Sequence, residues 1–191
     1  MEATVRPERR LAAMAAGACA WLLAATASAN GIDAASSWVG FTMKTRWGQA
    51  LHGRFPVFEG EIADAGAGRR RVCLRLSARD VEIVGHPRYS ELTRGEGFFE
   101  ADRHPVVEFV SDAWPPTLLY RGGKLAGTLI IRGVSRREVF TVEPAACDRP
   151  GVDCDIFARG TVYRGDFGMD RWSFALSDRV QMTLRLRIDG E

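Results

Sequence analysis

The sequence predicts an all-β, antiparallel fold of about eight strands with one short helical segment, preceded by an export leader. Three observations carry this reading. Apolar and polar residues alternate with period two, turn residues break the alternation at short intervals, and the first thirty residues differ in kind from the rest.

In that leader, Arg6, Arg9 and Arg10 precede an apolar run from Leu11 to Ala25, which closes on Ala27-Ser28-Ala29. A charged start, an apolar middle and small residues at the end are the parts of a secretory signal peptide. The run holds about fifteen residues, fewer than the roughly 20 that span a bilayer. Cys19 lies inside the run rather than at its end, which argues against lipid attachment. No later stretch is apolar enough to cross a membrane. The expected organisation is a cleavable signal peptide at 1–29 and one exported, periplasmic domain at 30–191.

The strands follow in order. Ser37–Met43 places Val39, Phe41 and Met43 on one face, and Val72, Leu74 and Leu76 alternate with Cys73, Arg75 and Ser77. Val180–Ile188 alternates without a break, as a strand with one face in a core and one in water must. Further strands are expected at Leu51–Ile62, Val106–Ser111, Leu118–Arg121, Lys124–Arg132, Glu138–Val142 and Ile156–Arg164. Gly122-Gly123 reads as a hairpin turn. Tyr89–Phe99 resists the strand pattern and is expected to form a short helix or turns from about Ser90, weakened by Gly95 and Gly97. Gly53, Gly60, Gly127 and Gly133 read as bends or bulges that a small closed sheet needs. Pattern alone does not separate a barrel from a sandwich.

Charge and motif counts exclude several functions. With 26 Lys plus Arg against 24 Asp plus Glu, the net charge is +2, and Arg69-Arg70-Arg71 is the only basic triplet, so no nucleic-acid surface is expected. Without residues 1–29 the net charge falls to +1. His52, His86 and His104 have no metal-site spacing, and no nucleophile elbow occurs, so neither a metal, a cofactor nor an enzymatic reaction is expected. Cys147 and Cys154 bracket the turn-rich Asp-Arg-Pro-Gly-Val-Asp, and a disulfide between them is predicted, with two thiols as the competing state. Cys73, between Arg71 and Arg75 on the polar face, is expected to look outward.

Projecting the alternation inward selects Val39, Phe41, Met43, Phe55, Phe58, Leu74, Leu76, Phe109, Leu129, Ile131, Phe140, Val162, Met182 and Leu184, with Phe167 joining the aromatic set. On periodicity alone this is a well-filled core, because apolar stripes usually are.

The ordered motifs of this region resemble those of the YceI-like, polyisoprenoid-binding proteins. They are Ser37-x-Val39-x-Phe41 with Gly53-Arg54-Phe55 and Phe58-Glu59-Gly60; Leu92 with Phe98-Phe99-Glu100-Ala101, Pro105, Phe109 and Ser111; Leu125-Ala126-Gly127-Thr128-Leu129 with Ile131-Arg132-Gly133-Val134; and Arg164-Gly165-Asp166-Phe167-Gly168-Met169. The resemblance implies a lipocalin-like barrel that holds an isoprenoid lipid, a polyprenyl chain or an isoprenoid quinone, in its interior. On that reading the inward set above lines the ligand tunnel, and Arg164 and Asp166 are the candidate headgroup contacts. The bland reading of those two is an Arg–Asp pair tying a strand end to its neighbour. The competing function is a filled barrel without ligand, acting as a protein-interaction module of the envelope. By analogy only, two copies form a homodimer.

Overall fold

The computed structural model describes residues 30–189; the predicted signal peptide lies outside them. The strands are β1 (Asn30–Gly31), β2 (Trp38–Thr45), β3 (Ala50–Arg54), β4 (Phe58–Asp64), β5 (Arg70–Ser77), β6 (Glu82–Ile83), β7 (Val106–Ser111), β8 (Gly123–Ile131), β9 (Val134–Val142), β10 (Ile156–Tyr163) and β11 (Leu176–Leu186). Helix α1 spans Pro87–Arg94, α2 spans Thr117–Arg121, and a 3₁₀ turn covers Arg164–Phe167. All eleven strands among the described residues join one antiparallel sheet in the order β1-β4-β5-β7-β8-β9-β10-β11-β2-β3-β6. The strand count exceeds the expected eight because one expected strand divides and two-residue pieces, β1 and β6, pair at the edges.

The sheet curls into a lipocalin-like barrel, and its closure is visible in the hydrogen bonds. Just past β1, Ile32 bridges Ile188 beyond the end of β11. The Asp33 amide donates to the Arg187 carbonyl at 3.0 Å, and the Asp189 amide to Gly31 at 2.9 Å. The two ends of the described chain therefore lie side by side and seal the edge of β4 to β11. Closing an edge in this way removes a row of unpaired backbone groups.

At the other end of the barrel the wall splits twice. Strands β3 and β4 diverge at Phe55-Pro56-Val57: the Phe55 amide still bonds Val39, while the Val57 carbonyl already accepts from Ser77, both at 2.9 Å. The expected single strand Leu51–Ile62 is thus two strands, because Pro56 has no N–H to extend a ladder. The segment 78–104, with β6 and α1, covers this gap; the Ser90 hydroxyl accepts from the Ile83 amide at 2.8 Å and fastens α1 to β6. Strands β9 and β10 pair only from Ala158–Val142 to Gly160–Phe140. Beyond that point the 3₁₀ turn packs against β9 and β11 and buries Phe167 to 1% exposure.

Two further expectations are corrected. Leu118–Arg121 forms α2 rather than a strand, and Gly122-Gly123 is not a hairpin turn: Gly122, at φ +67°, caps α2 by donating to Leu118, and β8 begins at Gly123. The hairpin turn between β8 and β9 is Arg132-Gly133, both residues at positive φ, as a two-residue turn matched to strand twist requires.

The inward glycines have a role that bending does not describe. Gly53 faces Phe41 and Gly160 faces Phe140 on the neighbouring strand, and the Phe109 ring covers Gly127. A Cβ on Gly53 would overlap the Phe41 ring, and at Gly127 and Gly160 it would come within 2.5 and 2.8 Å of a ring. Each missing side chain leaves the space that a ring occupies, so bulky aromatics fit a narrow barrel.

Candidate functional site

Inside the barrel, three apolar chambers lined by the described residues follow one another, each sharing walls with the next. The outermost, about 210 Å³, opens between α1, the β2–β3 turn and the loop before β11, and includes Met43, Trp47, Tyr89, Leu92, Phe98 and Trp172 in its lining. The middle chamber, about 50 Å³, is bounded by Phe41, Phe55, Phe99, Ile131, Val162, Arg164 and Met169 among others. The innermost, about 70 Å³, lies between Val39, Leu74, Leu76, Phe109, Phe140 and Leu184 and is floored by Trp114, Leu118 and Leu119. Met43, Thr93 and Phe98 belong to both outer and middle chambers, and Leu129 and Met182 to both middle and inner ones. These five side chains are the partitions of an interrupted tunnel. From Leu176 to Leu186, β11 runs its length over roughly 33 Å at ~3.3 Å per residue.

The floor is built by α2 and the loop after β9. Leu118 and Leu119 pack on the core, the Ala145 amide bonds the Leu119 carbonyl at 2.9 Å, and the Tyr120 hydroxyl donates to Asp148 at 3.2 Å. In that loop Cys147 and Cys154 form a disulfide. The Trp114 indole N–H is buried at this floor without a partner among the described residues, a polar atom in an apolar chamber lining.

Of the residues selected by alternation, Val39, Leu74, Leu76, Phe109, Leu129, Phe140, Met182 and Leu184 border the inner chamber. Phe41, Met43, Phe55, Ile131 and Val162 border the middle one. Phe58 and Phe167 are buried in the wall and border none of the three chambers. Arg164 and Asp166 part company. Asp166 is exposed on the 3₁₀ turn, near Glu138 rather than the chambers. Arg164 is 3% exposed and is the only charged side chain among the described residues lining the three chambers.

The expected Arg164–Asp166 pair does not form. The Arg164 guanidinium instead donates to the carbonyls of Ser177 (3.0 Å), Met169 (2.6 Å) and Arg171 (3.2 Å), and lies 5.8 Å from the Phe98 ring centre. Burial pulls its pKa below the ordinary arginine value, while Asp178 and Asp170 oppose that shift. A buried cation held by carbonyls ties the loop 168–175 to the start of β11 and leaves a positive potential beside the middle chamber.

Sequence reasoning missed the two ends of this tunnel. Leu125, Val142, Ile156 and Ala158 share the parity of residues already selected on their strands and were within reach of the same pattern. Trp47, Tyr89, Trp114 and Trp172 lie on turns, a helix and loops, where no strand period exists to select them. Among the described residues no three His, Cys, Asp or Glu side chains gather as metal ligands would, and no helix is long and apolar enough to cross a membrane.

A family model for the YceI-like domain matches residues 31–188. No curated protein matches the sequence. Among solved structures, BcnA from Burkholderia cenocepacia is 20% identical with a TM-score of 0.66, covering 83% of this chain and 99% of its own. A polyisoprenoid binding domain from Saccharophagus degradans, implicated in plant cell wall breakdown, is 16% identical with a TM-score of 0.64, covering 85% and 98%. The Campylobacter jejuni YCEI protein is 19% identical with a TM-score of 0.53, covering 73% and 85%.

Proposed function

The chain belongs to the YceI-like family, and from that premise we propose that it is an exported, periplasmic carrier that holds an isoprenoid lipid in its barrel without transforming it. One observation carries the reading: the apolar chambers share walls in series from the α1 end of the barrel to the α2 end, with Arg164 the only charged group among the described residues that line them. The similarity to a polyisoprenoid binding domain supports the ligand class. The Cys147–Cys154 disulfide suits an oxidising compartment and supports export.

The physical fit is of a chain rather than a compact molecule. An isoprene unit offers almost no hydrogen bonds, so its affinity comes from burial, about 4 kcal/mol for five carbons at ~0.8 kcal/mol each. An apolar cavity of about 150 Å³ takes a six-carbon benzene, so a five-carbon unit needs roughly 125 Å³. The outer chamber accepts that volume; the inner two accept it only when their partitions move. Met182 suits such a partition, since an unbranched thioether changes rotamer readily. A headgroup carbonyl or phosphate would sit at the middle chamber, where Arg164 supplies the positive potential. Asp166 has no part in this reading.

The small volumes of the two inner chambers favour a second reading, a filled barrel without ligand. Organic extraction of protein purified from its native envelope, followed by mass spectrometry, separates the two. An isoprenoid in stoichiometric amount is expected, and its loss in a folded Met182→Trp variant would locate it across the partition. Empty protein from a native source would establish the filled barrel instead.

A further inference from the structure

The mouth of the barrel is surrounded by side chains that a water-facing surface does not ordinarily collect. Helix α1 turns its polar residues inward and its apolar ones outward: Ser90 and Thr93 are each 5% exposed, whereas Tyr89 and Leu92 are 46% and 50% exposed. Ser90 and Thr93 are satisfied by bonds to Ile83, His86 and Tyr89, so the inversion is built rather than accidental. Across the mouth, the turn at 45–49 and the loop at 170–175 are bonded together. The Arg46 amide and Nε donate to Ala175 and Ser173, at 2.8 and 3.1 Å. These two segments project Trp47, 79% exposed, and Phe174, 73% exposed, with Trp172 packed 5.6 Å from Phe174.

We infer that this rim docks on the surface of an anionic lipid bilayer, placing the open chamber against the membrane. Tryptophan and tyrosine settle at headgroup depth, where an apolar ring and a polar edge are both accommodated, and phenylalanine adds an apolar ring beside them. Charge supports the same occupant. The rim carries Lys44, Arg46, Arg88, Arg94 and Arg171 against Glu91, Glu96 and Asp170. Glu96 is partly spent on Arg171 at 3.7 Å, while Lys44, Arg46 and Arg88 make no ion pair among the described residues. A second copy of the chain would bring like charges face to face, whereas anionic headgroups complement them. Docking here rests on the carrier reading for its purpose: an isoprenoid dissolves in membranes, and a mouth pressed to one lets the chain pass without crossing water.

The test is co-sedimentation with vesicles of phosphatidylcholine, with and without one part in four of phosphatidylglycerol. The chain is expressed in full, purified from the soluble envelope fraction, and its N-terminus read by mass spectrometry. Binding is expected to the anionic vesicles and to weaken with salt. Trp47→Ser with Phe174→Ser is expected to lower the affinity at least about tenfold. Lys44→Gln with Arg88→Gln is expected to lower it about fivefold per charge. Trp38→Ser with Phe157→Ser, which removes exposed aromatics from the wall, is expected to change nothing. Thermal melts and circular dichroism matching the parent keep the rim variants interpretable, since the mutated side chains are exposed. Equal affinity for neutral and anionic vesicles, or equal loss in the wall variant, overturns the proposal. Self-association through the rim without vesicle binding does so too. The same samples are extracted for lipid: bound isoprenoid without vesicle binding overturns docking and leaves the carrier reading standing. Vesicle binding by a protein empty of lipid does the reverse.

Discussion

The two ends of the barrel are closed off by similar means and finish in opposite states. Each is covered by a short helix and a loop, α2 with the loop after β9 at the floor, α1 with the loop before β11 at the mouth. Helix α2 lays Leu118 and Leu119 against the core and is tied down by Tyr120 and a disulfide-bonded loop. Helix α1 presents serine and threonine to the core and keeps tyrosine and leucine outside. The difference teaches that the walls of such a barrel are set by strand alternation, whereas its polarity along the axis is set by which face its end-pieces turn inward.

The largest break in this comparison is expected from matched truncations. Trp114→Ala at the floor removes a side chain that is 94% buried and should cost about 3–5 kcal/mol in urea unfolding. Trp47→Ala at the mouth should stay within ~0.5 kcal/mol. Comparable losses would mean the mouth aromatics serve stability, not an encounter. Next, Cys147→Ser with Cys154→Ser opens a loop with a sequence separation of 7 and should cost roughly 2.5 kcal/mol on the loop-entropy model. Protease is then expected to nick the floor loop before the mouth. Gly160→Ala comes third: a methyl 2.8 Å from the Phe140 ring should cost about 1–3 kcal/mol through overpacking. Gly48→Ala at the mouth meets no atom within 4 Å and should cost only the ~1 kcal/mol of its positive φ.

The smallest effect concerns Glu138, half-buried on β9 where the 3₁₀ turn packs against that strand. Its carboxyl is raised above the ordinary glutamate value by burial and then by Asp166. A raised folded pKa means the folded state holds its proton longer, so stability falls as pH rises from the unfolded value through the folded one. Above that window the penalty is fully present. Glu138→Gln is therefore expected to stabilise slightly at neutral pH, within ~0.5 kcal/mol, and to gain nothing in acid below the ordinary carboxylate range. Melting temperatures measured at the two pH values check the sign.

The walls were the legible part. In β11, Leu184 and Leu186 are buried and Arg185 exposed, as strict alternation in that stretch requires, and β5 behaves likewise with Val72, Leu74 and Leu76. Where the backbone leaves the ladder, reading from the pattern failed. Leu118–Arg121 has the composition of a strand, yet five residues between Pro116 and Gly122 coil once and cap the floor. Arg164 and Asp166 are two residues apart, and only the 3₁₀ turn decides that one lines a chamber while the other faces water. The glycines were visible, but that each receives a ring from the next strand depends on register, which no single strand contains.

What the sequence by itself determined is the class of architecture, the inner face of most strands and the pairing chemistry of the two loop cysteines. A period of two is a local property and survives being read one strand at a time. What only the tertiary structure decided is where the barrel opens, where it is sealed, and how its interior divides into chambers. Those depend on contacts between segments far apart in sequence, such as Phe140 over Gly160, Arg46 on Ser173 and Ile32 beside Ile188, whose geometry exists only once the sheet has closed.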